Sequence, residues 1–249
     1  MLAIIGGSGL TQLSNLSVSR QEVARTPYGE PSGALTFGRI GGQEVVFLAR
    51  HGYGHTIPPH LVNYRANIWA LANVAKADGI VSVASVGGIR ADLGPGVIAV
   101  PHQIVDYTWG RHGTFHEGED RAVVHIDFTR PYCDRLRQRV VSAARAAGQA
   151  IVEDGVYAAT QGPRLETAAE IDRFERDGAD MVGMTGMPEA ALARELGICY
   201  AAIAVVANHA AGRAASREGI KMEDINATLR KALAQVRVVI EALVEGDGG

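Results

Sequence analysis

Seven short apolar runs, several of them emptying straight into glycine, constrain this chain more than any other feature. They fall at residues 3–5, 44–49, 80–85, 97–100, 155–159, 181–183 and 200–206. Their length and β-branched content read as buried strands. Longer stretches of helical spacing lie between several of them, at 63–77 with Ile68, Leu71, Val74 and Ala75, and at 135–147. Farther on, Pro188 opens a helix that Gly197 closes, the usual order of proline and glycine at helix ends. A last helix over 222–244 carries Ile225, Leu229, Leu233, Val236, Ile240 and Leu243 in one stripe. This alternation predicts an α/β fold: a single domain over 1–245 with a mixed sheet flanked by helices, followed by a flexible tail at 246–249. With 249 residues, 47% of them hydrophobic, the chain is long enough for one such core and does not demand two.

Charge and cysteine content narrow the partners. A net charge of −3 gives no pull toward nucleic acid or an anionic membrane. No run nears the roughly 20 apolar residues that span a bilayer, and the N-terminus lacks a basic leader with a cleavage site. Cys133 and Cys199 match no CxxC pattern and read as unpaired thiols of a reducing compartment, so a cytoplasmic protein is expected.

Polar residues at strand ends and in glycine turns are the ones an α/β fold offers to ligands. The run Leu2 to Ile5 empties into Gly6-Gly7-Ser8-Gly9, a turn suited to an anion, although an ordinary tight turn fits equally. It matches neither a Walker loop nor a dinucleotide fingerprint. Arg50-His51-Gly52-Tyr53-Gly54-His55 follows VVFLA: the arginine is able to fork onto two oxygens of a phosphate, and the imidazoles to add donors. Glycines between His51 and His55 argue against a zinc-binding helix. His112 and His116, beside Glu117, Glu119 and Asp120, read as a solvated loop. Further clusters follow strands at Ser85–Gly88, at 160–167, at 183–189 and at 207–210, each weak alone.

Their order carries more than any one of them. GGSGL, TPYGEPS, FLARHG, HTIPPHLVNYRANIWAL, GGIRADLGPGVIAVPHQIVDYT, GPRLETAAE and GMTGMPEAALARELGICYA run nearly the length of the chain. Together they resemble the trimeric purine nucleoside phosphorylase and methylthioadenosine phosphorylase family. The resemblance implies phosphorolysis of an N-glycosidic bond, with inorganic phosphate as a substrate and no metal or organic cofactor. It places Ser8, Arg50, His51 and Thr185 at phosphate, with Ser85 nearby and His55 as a weaker addition. Met184 falls where a methionine backs the ribose, and Glu189 has no role assigned. His125, in VVHIDF, matches a histidine that reaches across a subunit interface, which implies a homotrimer with shared sites.

Hydrogen-bonding inventory then bears on the base. The Glu-Thr of GPRLET resembles the 6-oxopurine phosphorylases, and Asn208 stands where the methylthioadenosine branch has aspartate. A 6-oxopurine presents N1–H beside O6; Glu166 is able to accept from N1–H and Asn208 to donate to O6, so these two are the expected catalytic pair. Ile220 and Met222 suggest an apolar pocket for a 5′-methylthio group, with Met222 packing on sulfur, and a plain core position fits both equally. The expected substrate is S-methyl-5′-thioinosine in purine salvage. The rivals are inosine or guanosine, methylthioadenosine, and a non-catalytic purine-binding role. Three departures from the family stand out: Leu165 replaces the phenylalanine that stacks on the base, Ala84 replaces a threonine, and Ala210 replaces an aspartate.

Overall fold

All seven apolar runs form strands, and most end where a glycine or polar turn begins. The computed structural model describes residues 1–118 and 122–246. Of the tail expected at 246–249 only Gly246 is among them, and Glu119 and Asp120 also lie outside. The strands are β1 (Leu2–Gly6), β2 (Ser17–Glu22), β3 (Leu35–Ile40), β4 (Gln43–Ala49), β5 (Gly79–Gly88), β6 (Ile98–Ala99), β7 (Gln103–Asp106), β8 (Val156–Ala159), β9 (Met181–Gly183) and β10 (Cys199–His209). The helices are α1 (Tyr64–Asn73), α2 (Asp134–Ala146), α3 (Ala168–Arg176), α4 (Gly186–Glu195) and α5 (Met222–Glu245).

The strands form one mixed sheet in the order β2-β3-β4-β1-β5-β9-β8-β7, with β10 paired to β5 and β6. Strands β4, β1, β5 and β10 run parallel, whereas β9 is antiparallel to β5 and parallel to β8. The sheet therefore reverses direction between β5 and β9.

Alternation along the strands sorts side chains to the two faces. Leu2 and Ile4 of β1, Val81 and Val83 of β5 and Ala201 and Ile203 of β10 pack with Leu136, Val140, Leu233 and Val236 of α2 and α5. Ala3, Ile5, Ile80, Tyr200 and Ala202 pack with Ile68, Leu71, Ala190 and Leu192 of α1 and α4. Each Leu, Ile or Val so buried contributes about 1.5–3 kcal/mol, and the two layers fix where the strand ends lie. Helix α4 becomes regular only at Pro188, because Met187 has extended backbone angles, and Gly197 follows its end with φ +68°.

One expectation is overturned. Cys133 and Cys199 are not free thiols but are joined as a disulfide, with Cα atoms 5.2 Å apart. The cause is docking: Cys133 precedes α2, and its N–H donates to the Tyr200 carbonyl at the start of β10 (2.8 Å).

Candidate active site

A cavity of about 660 Å³ opens where the sheet reverses. Strand ends supply most of its wall, as expected for ligand sites in α/β sheets. Ser8 follows β1, Arg50 and His51 follow β4, Ala84 to Gly87 close β5, Glu166 lies beyond β8, Met184 and Thr185 follow β9, and Asn208 ends β10. Of the residues singled out in the sequence, Ser8, Arg50, His51, Ser85, Leu165, Glu166, Met184, Thr185, Asn208, Ile220 and Met222 all line this one cavity, and His55 joins them. His125 does not line it; it is exposed on the segment after residue 121.

The arginine is held differently from expectation. Arg50 is fully buried, and its fork grips not an open anion site but Glu189, with Nε to Oε1 at 2.5 Å and Nη2 to Oε2 at 3.0 Å. Nη2 also donates to Ser82 Oγ (2.5 Å) and Nη1 to the Val83 carbonyl (3.0 Å). Glu189 Oε2 further accepts from Ser82 Oγ (3.1 Å) and Tyr200 Oη (2.8 Å). Burial alone would lower the guanidinium pKa; the facing carboxylate outweighs it, and the pKa rises above the ordinary arginine value. Four of the five guanidinium hydrogens are thus used, and the fifth, on Nη1, lies beside Gly7. A Cβ at Gly7 would stand 2.8 Å from Nη1 and 2.5 Å from the Val83 carbonyl, so the glycine turn keeps that approach open.

His51 also departs from expectation. Its Nδ1 meets the Ile57 carbonyl at 2.8 Å, and a carbonyl only accepts, so Nδ1 carries the hydrogen. Burial, reinforced by the Arg50 charge, pushes its pKa down to about 4. The imidazole is neutral at pH 7 and presents Nε2 as an acceptor, not the donor foreseen from sequence. Thr185 is the residue before α4, yet its hydroxyl does not cap that helix. Its backbone N–H instead donates to Tyr157 Oη at 3.3 Å.

Across the cavity, Glu166 Oε1 accepts from Thr160 Oγ1 at 2.7 Å. Burial raises its pKa above the usual glutamate range, with the Thr160 hydrogen bond working against that rise. Asn208 reaches the cavity through a bulge: Val206 pairs with Val86 and Asn208 with Gly87, so Ala207 is the extra residue. Its Nδ2 donates to the His209 carbonyl at 2.6 Å. Helix α5 brings Met222, Ile225, Asn226 and Leu229 to the wall at spacings of three and four.

Sequence reasoning missed several contributors. Glu189 had no role, and only the burial of a carboxylate in the first turn of an apolar helix hinted at one. Ile225 and Leu229 were visible as core positions, not as cavity wall. The loop after β7 is not simply solvated: Phe115 is buried with its ring tilted against Tyr28 at a centroid distance of 5.0 Å, and Arg111 turns inward. His112, by contrast, is exposed and meets Glu117 (2.8 Å).

Comparison with known proteins decides the class. A model of the phosphorylase superfamily matches residues 1–245. The chain belongs to the phosphorylase superfamily. A probable S-methyl-5′-thioinosine phosphorylase of Pseudomonas syringae pv. tomato is 54% identical over 245 residues, 98% of each chain. A 6-oxopurine nucleoside phosphorylase of Pyrococcus furiosus is 47% identical over 216 residues, covering 85% of this chain and 80% of that one. Among solved structures, methylthioadenosine phosphorylase from Schistosoma mansoni in complex with adenine superposes with a TM-score of 0.94 at 33% identity, over 99% of this chain and 91% of that one. This superfamily member has the nucleoside phosphorylase fold and is an enzyme of the pentosyltransferase type.

Proposed function

We propose that the enzyme cleaves S-methyl-5′-thioinosine with inorganic phosphate, giving hypoxanthine and 5-methylthioribose 1-phosphate. A phosphate oxygen bonds to C1′ as the C1′–N9 bond breaks, and the bonding pair leaves on the purine. Positive charge grows on the ribose and negative charge on the base, so groups that face each of these lower the barrier. Ser8, Ser85, Thr185, Arg50 Nη1 and His51 form the phosphate side of the cavity; Glu166 and Asn208 form the purine side.

The observation that carries this reading is the Asn208 amide. The His209 carbonyl accepts from Nδ2 and has no hydrogen to give, so the chemistry identifies which end is nitrogen. A flip would set two oxygens against each other. The second Nδ2 hydrogen suits O6, and Oδ1 suits an N7–H whose proton comes from solvent, since a carboxamide has none to transfer. Adenine presents the inverse edge, with an N1 lone pair toward Glu166. Each such buried mismatch costs on the order of 1–3 kcal/mol, enough for at least tenfold discrimination. The names of the Pseudomonas and Pyrococcus relatives support a 6-oxopurine.

Met222 and Ile220 support a methylthio group at the 5′ position. A second reading, phosphorolysis of inosine or guanosine, is favoured by Asn226, an exposed amide one turn beyond Met222 on the same wall. We place the reaction in a homotrimer, in which the exposed His125 serves a neighbouring cavity, and in the cytoplasm on the strength of the substrates alone. Base release from methylthioinosine, methylthioadenosine and inosine, each with and without phosphate, tests the proposal. Phosphate-dependent release chiefly from methylthioinosine supports it, and release confined to the 6-amino compound overturns it.

A further inference from the structure

We infer that Arg111, which is not part of the cavity wall, is a positioning residue that holds the nucleoside side of the cavity in shape. The inference rests on the phosphorolytic reading above. Arg111 is half-buried, and its guanidinium meets six oxygen atoms, none of them from a carboxylate. Nε donates to Gln161 Oε1 (3.2 Å). Nη1 donates to the carbonyls of Met184 (2.8 Å) and Met187 (2.6 Å) and to Tyr64 Oη (3.2 Å). Nη2 donates to the carbonyls of Thr160 (3.2 Å) and Gln161 (2.9 Å).

These acceptors belong to three separate stretches that converge on the nucleoside. Thr160 and Gln161 follow β8, and the Thr160 hydroxyl is the donor to Glu166. Met184 and Met187 bracket the turn after β9, and Met184 is itself cavity wall. Tyr64 passes the link on, because its Oη donates to the Pro59 carbonyl (2.7 Å) and Pro59 also lines the cavity. At Gly162, with φ +63°, a Cβ would collide with the Met184 sulfur and come within 2.9 Å of Pro59, so the three stretches are already in contact there.

Backbone carbonyls just past strand ends have lost their ladder partners, and a planar cation with five hydrogens satisfies several at once. An ammonium has three hydrogens and no fork, so lysine cannot reproduce the arrangement. The phosphate side has further bonds of its own: His51 is tied by Ile57, Arg50 by Glu189, and the Thr185 backbone, which lies in the turn Arg111 brackets, also by Tyr157. Loss of Arg111 should therefore loosen nucleoside binding more than phosphate binding.

The test measures both KM values for wild type, Arg111→Ala and Arg111→Lys, using whichever nucleoside wild type cleaves fastest, with thermal unfolding as a check on folding. Expected for Arg111→Ala is a nucleoside KM raised about tenfold or more with phosphate KM within about threefold, and partial repair by added guanidinium but not by equal urea. Arg111→Lys should fall between wild type and alanine. An unchanged nucleoside KM, equal rises in both constants, or equal response to guanidinium and urea would overturn the inference. Wild type that cleaves none of the three nucleosides would instead overturn the functional reading; in that case hypoxanthine and phosphate binding, measured calorimetrically on the same variants, decides for Arg111 by the same difference.

Discussion

Arg50 and Glu189 stand 139 residues apart in the chain and form an ion pair with no exposed surface on either side chain. Neither is free to act alone: the carboxylate cancels the guanidinium charge and fixes its plane. On the proposed reading, a phosphate in the cavity would meet a neutralised pair and hydroxyl donors, while His51 Nε2, a lone-pair acceptor, would accept only from a protonated phosphate oxygen. Removal of one partner from such a pair leaves a buried charge uncompensated, a loss of about 3–5 kcal/mol. Glu189→Gln, which keeps the shape, is expected to cost about 3 kcal/mol in urea unfolding and to raise the phosphate KM. A loss below about 1 kcal/mol would show that the pair is not holding the site.

His51 makes stability depend on pH in a defined window. The unfolded chain takes up the proton near 6.5 and the folded chain only near 4, so the unfolded state binds more protons between those values. Stability is unaffected above that window, falls as pH drops through it, and the loss reaches up to ~3 kcal/mol at its lower end. His51→Asn keeps a donor for Ile57 and does not titrate. The melting temperature of this variant should vary less between pH 6.5 and 4 than that of wild type; parallel curves would contradict the assignment.

Base preference should move with Asn208 and Glu166. Asn208→Asp removes the donor to O6 and gains an acceptor for a 6-amino group. The ratio of kcat/KM for methylthioinosine over methylthioadenosine should then fall by about tenfold or more. An unchanged ratio would contradict the role given to the amide. Because Glu166 titrates above the usual glutamate range, acidification protonates it early and turns an acceptor for N1–H into a donor for an adenine N1. The same ratio in wild type should therefore decline as pH is lowered, which a pH series of both substrates measures.

Met222 bears on the 5′ substituent. Its truncation to alanine removes soft apolar contact from a methylthio group and leaves a hydroxyl little affected. Preference for methylthioinosine over inosine should drop by roughly tenfold, the scale of one or two methylene groups in a pocket. Equal losses on both substrates would place Met222 in the helix packing alone.

How much of this was legible in the sequence depended on where the partners lie. Seven strands announced themselves as apolar runs, and so did the glycine turns that carry Ser8, Ser85 and Thr185; β3, although Leu35, Phe37 and Ile40 are buried, and the short β7 did not. Strand β2 did not, because SVSRQE is an edge strand exposed along nearly its whole length and has no apolar alternation. Helix α3 was hidden differently: Thr167 and Glu170 form its capping box, but it follows directly on a turn dense in ligand-type side chains. The disulfide joins residues 66 apart whose meeting depends on α2 docking against β10. Glu189 and Arg111 were missed for a common reason: their partners are a distant guanidinium and backbone carbonyls, and neither leaves a pattern in local sequence.

The most direct measurement is a structure with hypoxanthine and phosphate bound. Glu166 should lie within about 2.6–3.2 Å of N1, and Asn208 Nδ2 at similar range of O6 with its bond to the His209 carbonyl kept. Both side chains turned away from an occupied purine position, or the Asn208 nitrogen directed away from O6, would contradict the assignment of base recognition to this pair.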